Sequence, residues 1–241
     1  IGVTAAAGFG AVLAIGFGLA AVSVLLVPMA AIAGAAIATG LLFAVAARND
    51  SLLVLILTGI GISSLATALT SLAFNLAPDP ITLRDMILWL LGSLETRTNT
   101  DLAIAVPFVL IGWAAMATIG RGLDALSLGE ETTRSLGIDV RRLRWRVVLG
   151  VSASVGAMVA VCGAVGFVGL VVPHMVRPFV GYRPGRVLVA SALGGAVLIT
   201  VADLLTRIPT GGERLQLGVV TALIGAPVFI WIVQRSWMAG R

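Results

Sequence analysis

The chain has 241 residues, of which 59% are hydrophobic, with 29 glycines besides, and only 11% are charged. That composition excludes an ordinary water-soluble globule, a disordered chain and a disulfide-stapled secreted scaffold. The formal net charge of +5 comes from sixteen arginines and no lysine against eleven acids, an excess too small for a nucleic-acid surface, so the basic character needs a membrane explanation.

An uncharged apolar stretch of about 18 residues or more is long enough to cross a hydrocarbon core as a helix. Ile1–Ala47 is uncharged and about twice that length with Pro28 near its middle, which predicts two helices, Gly2–Val27 and Ala30–Ala47. Arg48, Asn49 and Asp50 form a polar turn, and Ser51–Pro78 gives a third span ended by Pro78-Asp79-Pro80. Pro80–Thr100 is too short to span. Its apolar residues, Leu83 and Met86 to Leu91, suit a helix at the interface with Trp89 at headgroup level, or the outer rim of a pore. Leu102–Gly120 is the fourth span. From Val147 to about Val180, the glycines Gly163, Gly166 and Gly169 followed by Pro173 predict one full span and one short, broken one. Val187–Leu205 and Leu215–Gln234 complete the expectation: an all-α polytopic transmembrane bundle of eight spans, forming one domain over 1–241.

Twelve of the sixteen arginines fall in one alternate set of loops and the tail, whereas Arg84, Arg97, Arg207 and Arg214 fall in the other. By the positive-inside rule the Arg121–Arg146 loop is cytoplasmic, as are both ends of the chain.

No phosphate-binding Gly-rich loop ending in Lys-Ser/Thr is possible in a chain without lysine, so any ATP-driven role needs a partner subunit. Cys162 in an apolar run reads as a small buried hydrophobe. His174, the single histidine, reads as a structural group at a broken helix. No metal, cofactor or catalytic set is predicted, and the chain is not expected to be an enzyme. Asp203 and Arg207, four apart near a span's end, suit an intrahelical ion pair.

The most informative segment is residues 122–146. Leu123, Leu126 and Leu128 precede Gly129, Glu130 and Arg134 stand four apart, and Gly137 follows, which predicts two short amphipathic helices hinged on Gly129. Such a pair is either a rigid knob for a soluble partner or an interfacial pair on anionic lipid anchored by Arg141 to Arg146.

Three segments, Leu126-Ser-Leu-Gly-Glu-Glu-Thr-Thr-Arg-Ser-Leu-Gly137, Gly166-Phe-Val-Gly-Leu-Val-Val-Pro-His-Met-Val-Arg177 and Leu217-Gly-Val-Val-Thr-Ala-Leu-Ile-Gly-Ala-Pro-Val-Phe229, resemble the signature segments of the FecCD-type permeases. These are the membrane subunits of ABC importers for iron-siderophore, haem and cobalamin. The opening Ile1-Gly-Val-Thr4 resembles the start of the third of the family's ten spans, implying two helices upstream. The resemblance implies that Leu128, Gly129, Glu130, Arg134, Leu136 and Gly137 contact an ABC ATPase subunit. It also implies a homodimer with the pore between the copies, in the bacterial cytoplasmic (inner) membrane. The third span corresponds to the family's pore-lining helix, where Ser63, Thr67, Thr70 and Ser71 share one face. They line the translocation path or pack helices through small residues. Arg84, Arg97 and Arg214 are either docking points for a periplasmic or lipid-anchored substrate-binding protein or solvated loop charges. Ala5 stands where cobalamin permeases carry Asn, so the expected cargo is a ferric siderophore or haem, with cobalamin the alternative. Gln216 replaces the proline that many members carry before the last span. An ion-coupled secondary transporter would need a mid-span acid, and Asp203 lies toward one end.

Overall fold

The computed structural model describes residues 2–23, 25–48, 51–95, 97–208 and 215–239. Among them the chain is helical with no strand. The elements are α1 (Val3–Gly16), α2 (Leu19–Val22), α3 (Leu26–Arg48), α4 (Leu52–Asn75), α5 (Pro80–Leu91), α6 (Asn99–Met116), α7 (Gly120–Leu126), α8 (Glu130–Ser135), α9 (Val140–Cys162), α10 (Val168–Val176), α11 (Pro184–Thr206) and α12 (Leu217–Ala239), with a single 3₁₀ turn at Arg177–Val180. Five helices are long and apolar enough to cross a membrane, beginning at Leu26, Leu53, Asn99, Val140 and Pro184. Val3–Gly16, Val168–Val180 and Leu217–Trp231 are shorter apolar helices at the places of the predicted first, sixth and eighth spans.

Several boundaries move for local reasons. The first expected span, Gly2–Val27, is not one helix: α1 stops at Gly16, and Gly18 adopts a left-handed φ of 70° before the short α2. Pro28 does not break the chain but lies in the first turn of α3, which starts at Leu26 rather than Ala30. A first-turn proline forfeits no helical hydrogen bond, because the first N–H groups have no partner within the helix. α6 starts earlier than expected because Thr98 and Asp101 form a reciprocal capping box. α9 starts at Val140, seven residues before the predicted Val147, because Asp139 accepts from Arg142 N at 3.0 Å; Arg141 to Arg146 are thus helix, not loop.

The outer faces carry large apolar side chains in the open, such as Leu53, Leu57 and Leu65 on α4 and Val189, Leu193 and Val197 on α11. The buried positions are small. Ala7, Ala11, Ala31, Ala35, Ala38 and Ala160 form the centre of the main core, between α1, α3 and α9. Such an inverted distribution suits a solvent of lipid, where close backbone approach replaces hydrophobic exclusion as the packing force. Gly10 lies against the backbone of Ala30, and Gly34 against that of Ala6.

The helices sort into two groups. α1, α3, α4, α6 and α9 pack on one another, and α10, α11 and α12 on one another. At one end the groups meet where Ser93 N donates to Cys162 O at 2.9 Å and Leu217 N donates to Gly92 O at 3.0 Å. Here Gly92 and Gly163, both at positive φ, touch backbone to backbone, and Gly218 sits against Leu91 O. α5 leads into this crossing. Its Met86 is fully buried and its Trp89 packs on the main core, so Trp89 faces inward rather than lying at the headgroups.

Candidate functional site

At the opposite end of α9, α7 and α8 form a compact knob, with helices where the sequence placed them. Gly129 joins them at φ 105° and ψ 154°, a backbone region essentially reserved for glycine. Beyond α8, Gly137 N donates to Arg134 O at 3.0 Å and Ile138 N to Thr133 O at 3.3 Å. With Gly137 at φ 77° this is a Schellman stop. Thr133 is fully buried and donates to Gly129 O at 2.7 Å, closing the hinge from inside. Leu128 and Leu136 are 67% and 60% exposed, so the knob presents two large apolar side chains outward.

Charge organises the same element. Glu130 Oε1 accepts from Arg134 Nη2 at 2.9 Å, the spacing expected from sequence, and its Oε2 accepts from Arg144 Nη2, also at 2.9 Å. Arg144 therefore faces the knob and is not a lipid anchor; its side chain is only 18% exposed. Arg146 Nη1 donates to Thr118 Oγ1 at 3.1 Å, and Trp145 stacks on Phe43 of α3 with ring centroids 4.0 Å apart. The backbone N–H of Arg142 holds the Asp139 carboxyl below the usual aspartate range, aided by the nearby arginines. Asp124 of α7 accepts from Gly185 N, in the first turn of α11, at 2.7 Å.

Ser63, Thr67, Thr70 and Ser71 of α4 come together on one open cavity of about 540 Å³, lined also by Thr4, Ala5 and Gly8 of α1 and by Phe74, Leu90 and Ala164. No charged side chain lines it. Thr70 Oγ1 donates to Ala66 O at 2.8 Å and Ser71 Oγ to Thr67 O at 3.0 Å, so these hydroxyls satisfy their donors on their own helix and keep acceptor capacity.

Of the three arginines at the other end, Arg84 is exposed on α5. Arg97 turns inward, its Nε donating to Ser93 O at 3.2 Å, in a cavity shared with Asp85, Glu95 and Asp101. Arg214 lies outside the described residues. Asp203 pairs with Arg207 at 2.9 Å. His174 lies 2.9 Å from Leu170 O through Nδ1 and meets Phe229 edge-on. Among the described residues no cluster of His, Cys, Asp or Glu could hold a metal ion. Asp124, Arg144 and the α1 wall of the hydroxyl cavity escaped sequence reasoning, since each meets its partner far along the chain.

The model of the FecCD transport family matches residues 1–235. The chain is 42% identical over 212 residues to the vitamin B12 import system permease protein BtuC of Vibrio cholerae, covering 86% of this chain and 62% of the relative. It is 38% identical to the Fe(3+) dicitrate transport system permease protein FecD of Escherichia coli, covering 88% and 66%. With the hemin transport system permease protein HmuU of Yersinia pestis it shares 36% identity, over 76% and 54%. The chain thus spans between about half and two thirds of the length of these relatives. A solved structure described as an inward-facing conformation of a putative metal-chelate type ABC transporter superposes with a TM-score of 0.88 at 33% identity, covering 97% of this chain and 74% of that one. The knob, the helix α10, which runs unbroken through Pro173, and the Leu217–Phe229 segment lie within the matched residues, and the chain belongs to the FecCD transport family.

Proposed function

We propose that the chain is the membrane-spanning permease of an ATP-driven importer in the cytoplasmic membrane. It works as a homodimer, with a separate ATPase subunit on the cytoplasmic side and a periplasmic or lipid-anchored binding protein on the other. The observation that carries this reading is the knob. A glycine-hinged, internally satisfied element with Leu128 and Leu136 standing out and Glu130 and Arg134 beside them is built for a protein cleft. On lipid, a helix pair would turn one continuous apolar face to the membrane, and α8, Glu-Glu-Thr-Thr-Arg-Ser, has none. The neutral, hydroxyl-lined cavity between α1 and α4 is part of the path.

The cargo is an iron chelate, a ferric siderophore or haem; relatives named for ferric citrate and haemin support this. Cobalamin is the second reading, favoured by the 42% identity to a B12 permease. Arg84, Arg97 and Arg214 serve binding-protein docking, Arg97 by orienting the loop through Ser93.

The test is co-purification of the permease with its ATPase, wild type against Gly129→Asp plus Arg134→Glu, followed by ATP hydrolysis with binding protein loaded with ferric siderophore, haem or cobalamin. A complex lost in the variant and stimulated by one loaded ligand supports the reading and names the cargo. Normal assembly and hydrolysis in the variant overturn it.

A further inference from the structure

The knob is fastened to both helix groups. Through Glu130 it is held by Arg144 of α9, in the group of α1, α3, α4 and α6. Through Asp124 it is held by α11, in the group of α10 and α12. The second fastening has unusual features. Arg183, at the N-cap position of α11, provides no side-chain cap. The carboxylate that satisfies the free N–H of Gly185 comes instead from α7, 61 residues earlier in sequence. A negative charge there also complements the positive end of the α11 dipole. Two glycines seat the helices: a Cβ on Gly185 would lie 3.0 Å from Gly120 O and 3.2 Å from Asp124 Oδ2. α7 thus rests directly on the first turn of α11.

At the far end of the bundle, about 34 Å away along the 23 residues of α9, the same groups meet at the crossing of Gly92, Gly163 and Gly218. The three glycines bring backbone against backbone there, joined by two backbone hydrogen bonds, with the Leu94 and Val165 side chains packed beside them. The arrangement is that of a lever: a backbone crossing at one end and a carboxylate strut at the other, with the knob between the strut and whatever moves it.

The geometry points to Asp124 as a positioning residue that passes displacement of the α7–α8 knob to α10, α11 and α12, which swing about the Gly92–Gly163–Gly218 crossing. This rests on the proposed seating of the knob in an ATPase. The Glu130–Arg144 pair ties the knob to α9 and the Asp124–Gly185 bond ties it to α11, so a tilt of the knob on these two separate attachments moves the two groups by different amounts, which opening a path between helices requires.

The experiment uses the whole transporter reconstituted in liposomes with its binding protein, measuring cargo imported per ATP hydrolysed, with ferric siderophore, haem and cobalamin as probes. Asp124→Ala removes the acceptor. Gly185→Ala keeps both partners of the hydrogen bond but pushes α7 off α11, and it decides the matter if the first variant does not assemble. Each is expected to assemble and to hydrolyse ATP within about twofold of wild type while cargo per ATP falls about tenfold. Asp124→Asn, which retains an acceptor oxygen, is expected to restore most of the ratio. A purely structural role would lower the amount of complex and leave the ratio alone. Wild-type cargo per ATP in either assembled variant overturns the strut. A wild-type chain that does not bind the ATPase overturns the seating of the knob itself, so the two failures are distinct.

Discussion

Glu130 Oε2 lies 2.9 Å from Arg144 Nη2, joining α8 to the second turn of α9 across 14 residues, while the other oxygen of the same carboxylate binds Arg134. One side chain thereby does two jobs, fixing the knob on its base and holding Arg134 in place at the surface. The two arginines differ in setting, Arg144 being 18% and Arg134 60% exposed.

That difference predicts separable effects. Arg144→Gln is expected to cost on the order of 1 kcal/mol, or about 2–4 °C in Tm for a chain of this size. Arg134→Gln is expected to leave Tm within about 1 °C, because exposed pairs contribute little, and to weaken ATPase binding. Thermal unfolding in detergent and pull-down of the ATPase check the pair, and equal Tm losses would contradict the assigned geometry.

Gly10 and Gly34 are where α1 and α3 touch, each against a backbone carbonyl of the other helix, Ala30 O and Ala6 O respectively. A methyl group at either has no flexible neighbour to displace, so Gly10→Ala or Gly34→Ala must part the helices. The expected loss is about 1–3 kcal/mol, toward the upper end because backbone has to move. Gly40, with open space around its Cβ position, is the control, and Gly40→Ala should be neutral or mildly stabilising.

In the hydroxyl-lined cavity Thr67 is exposed and Thr70 is buried. Thr67→Leu, which narrows the cavity without unpairing a buried donor, is expected to lower uptake roughly tenfold, a barrier increase of about 1.4 kcal/mol, with assembly and basal ATP hydrolysis unchanged. Uptake into proteoliposomes measures it. Undiminished uptake would mean the stripe serves packing.

Asp79 caps α5, accepting from Thr82 Oγ1 at 2.7 Å, Thr82 N at 2.9 Å and Ile81 N at 2.8 Å, and these bonds hold its carboxyl below the ordinary aspartate value of 3.8. A carboxyl whose folded pKa is depressed contributes stability above its unfolded pKa and loses it as pH falls through the folded value. Asp79→Ala should therefore lower Tm at neutral pH, and the gap from wild type should close as pH drops below 3.8. A gap that persists in acid would show that the cap does not depend on charge.

Much of the knob is legible in sequence because its signals are local. Gly129, Gly137 and the Glu130–Arg134 spacing each act within one helical turn, and the structure reproduces all three. Pro28 and Val140 show the opposite case. A proline looks the same in sequence whether it opens a helix or breaks one. Asp139 reads as a loop acid until its bond to Arg142 N shows it starting α9 seven residues before the apolar run begins.

By itself the sequence determined that the chain belongs in a membrane, that it is helical, where most of its long helices run, and that one polar segment is a hinged pair of short helices. Those follow from composition, from the length of uncharged stretches and from chain-local hydrogen bonding. Only the tertiary structure decided that Trp89 faces inward, that Thr4 lies opposite the hydroxyls of α4, that Arg144 holds Glu130, and that Asp124 caps α11. In a bundle whose outer faces are uniformly apolar, hydrophobic pattern does not say which faces meet. The choice is made by where small residues let backbones approach and by which polar groups find partners there, and both depend on residues far apart in the chain.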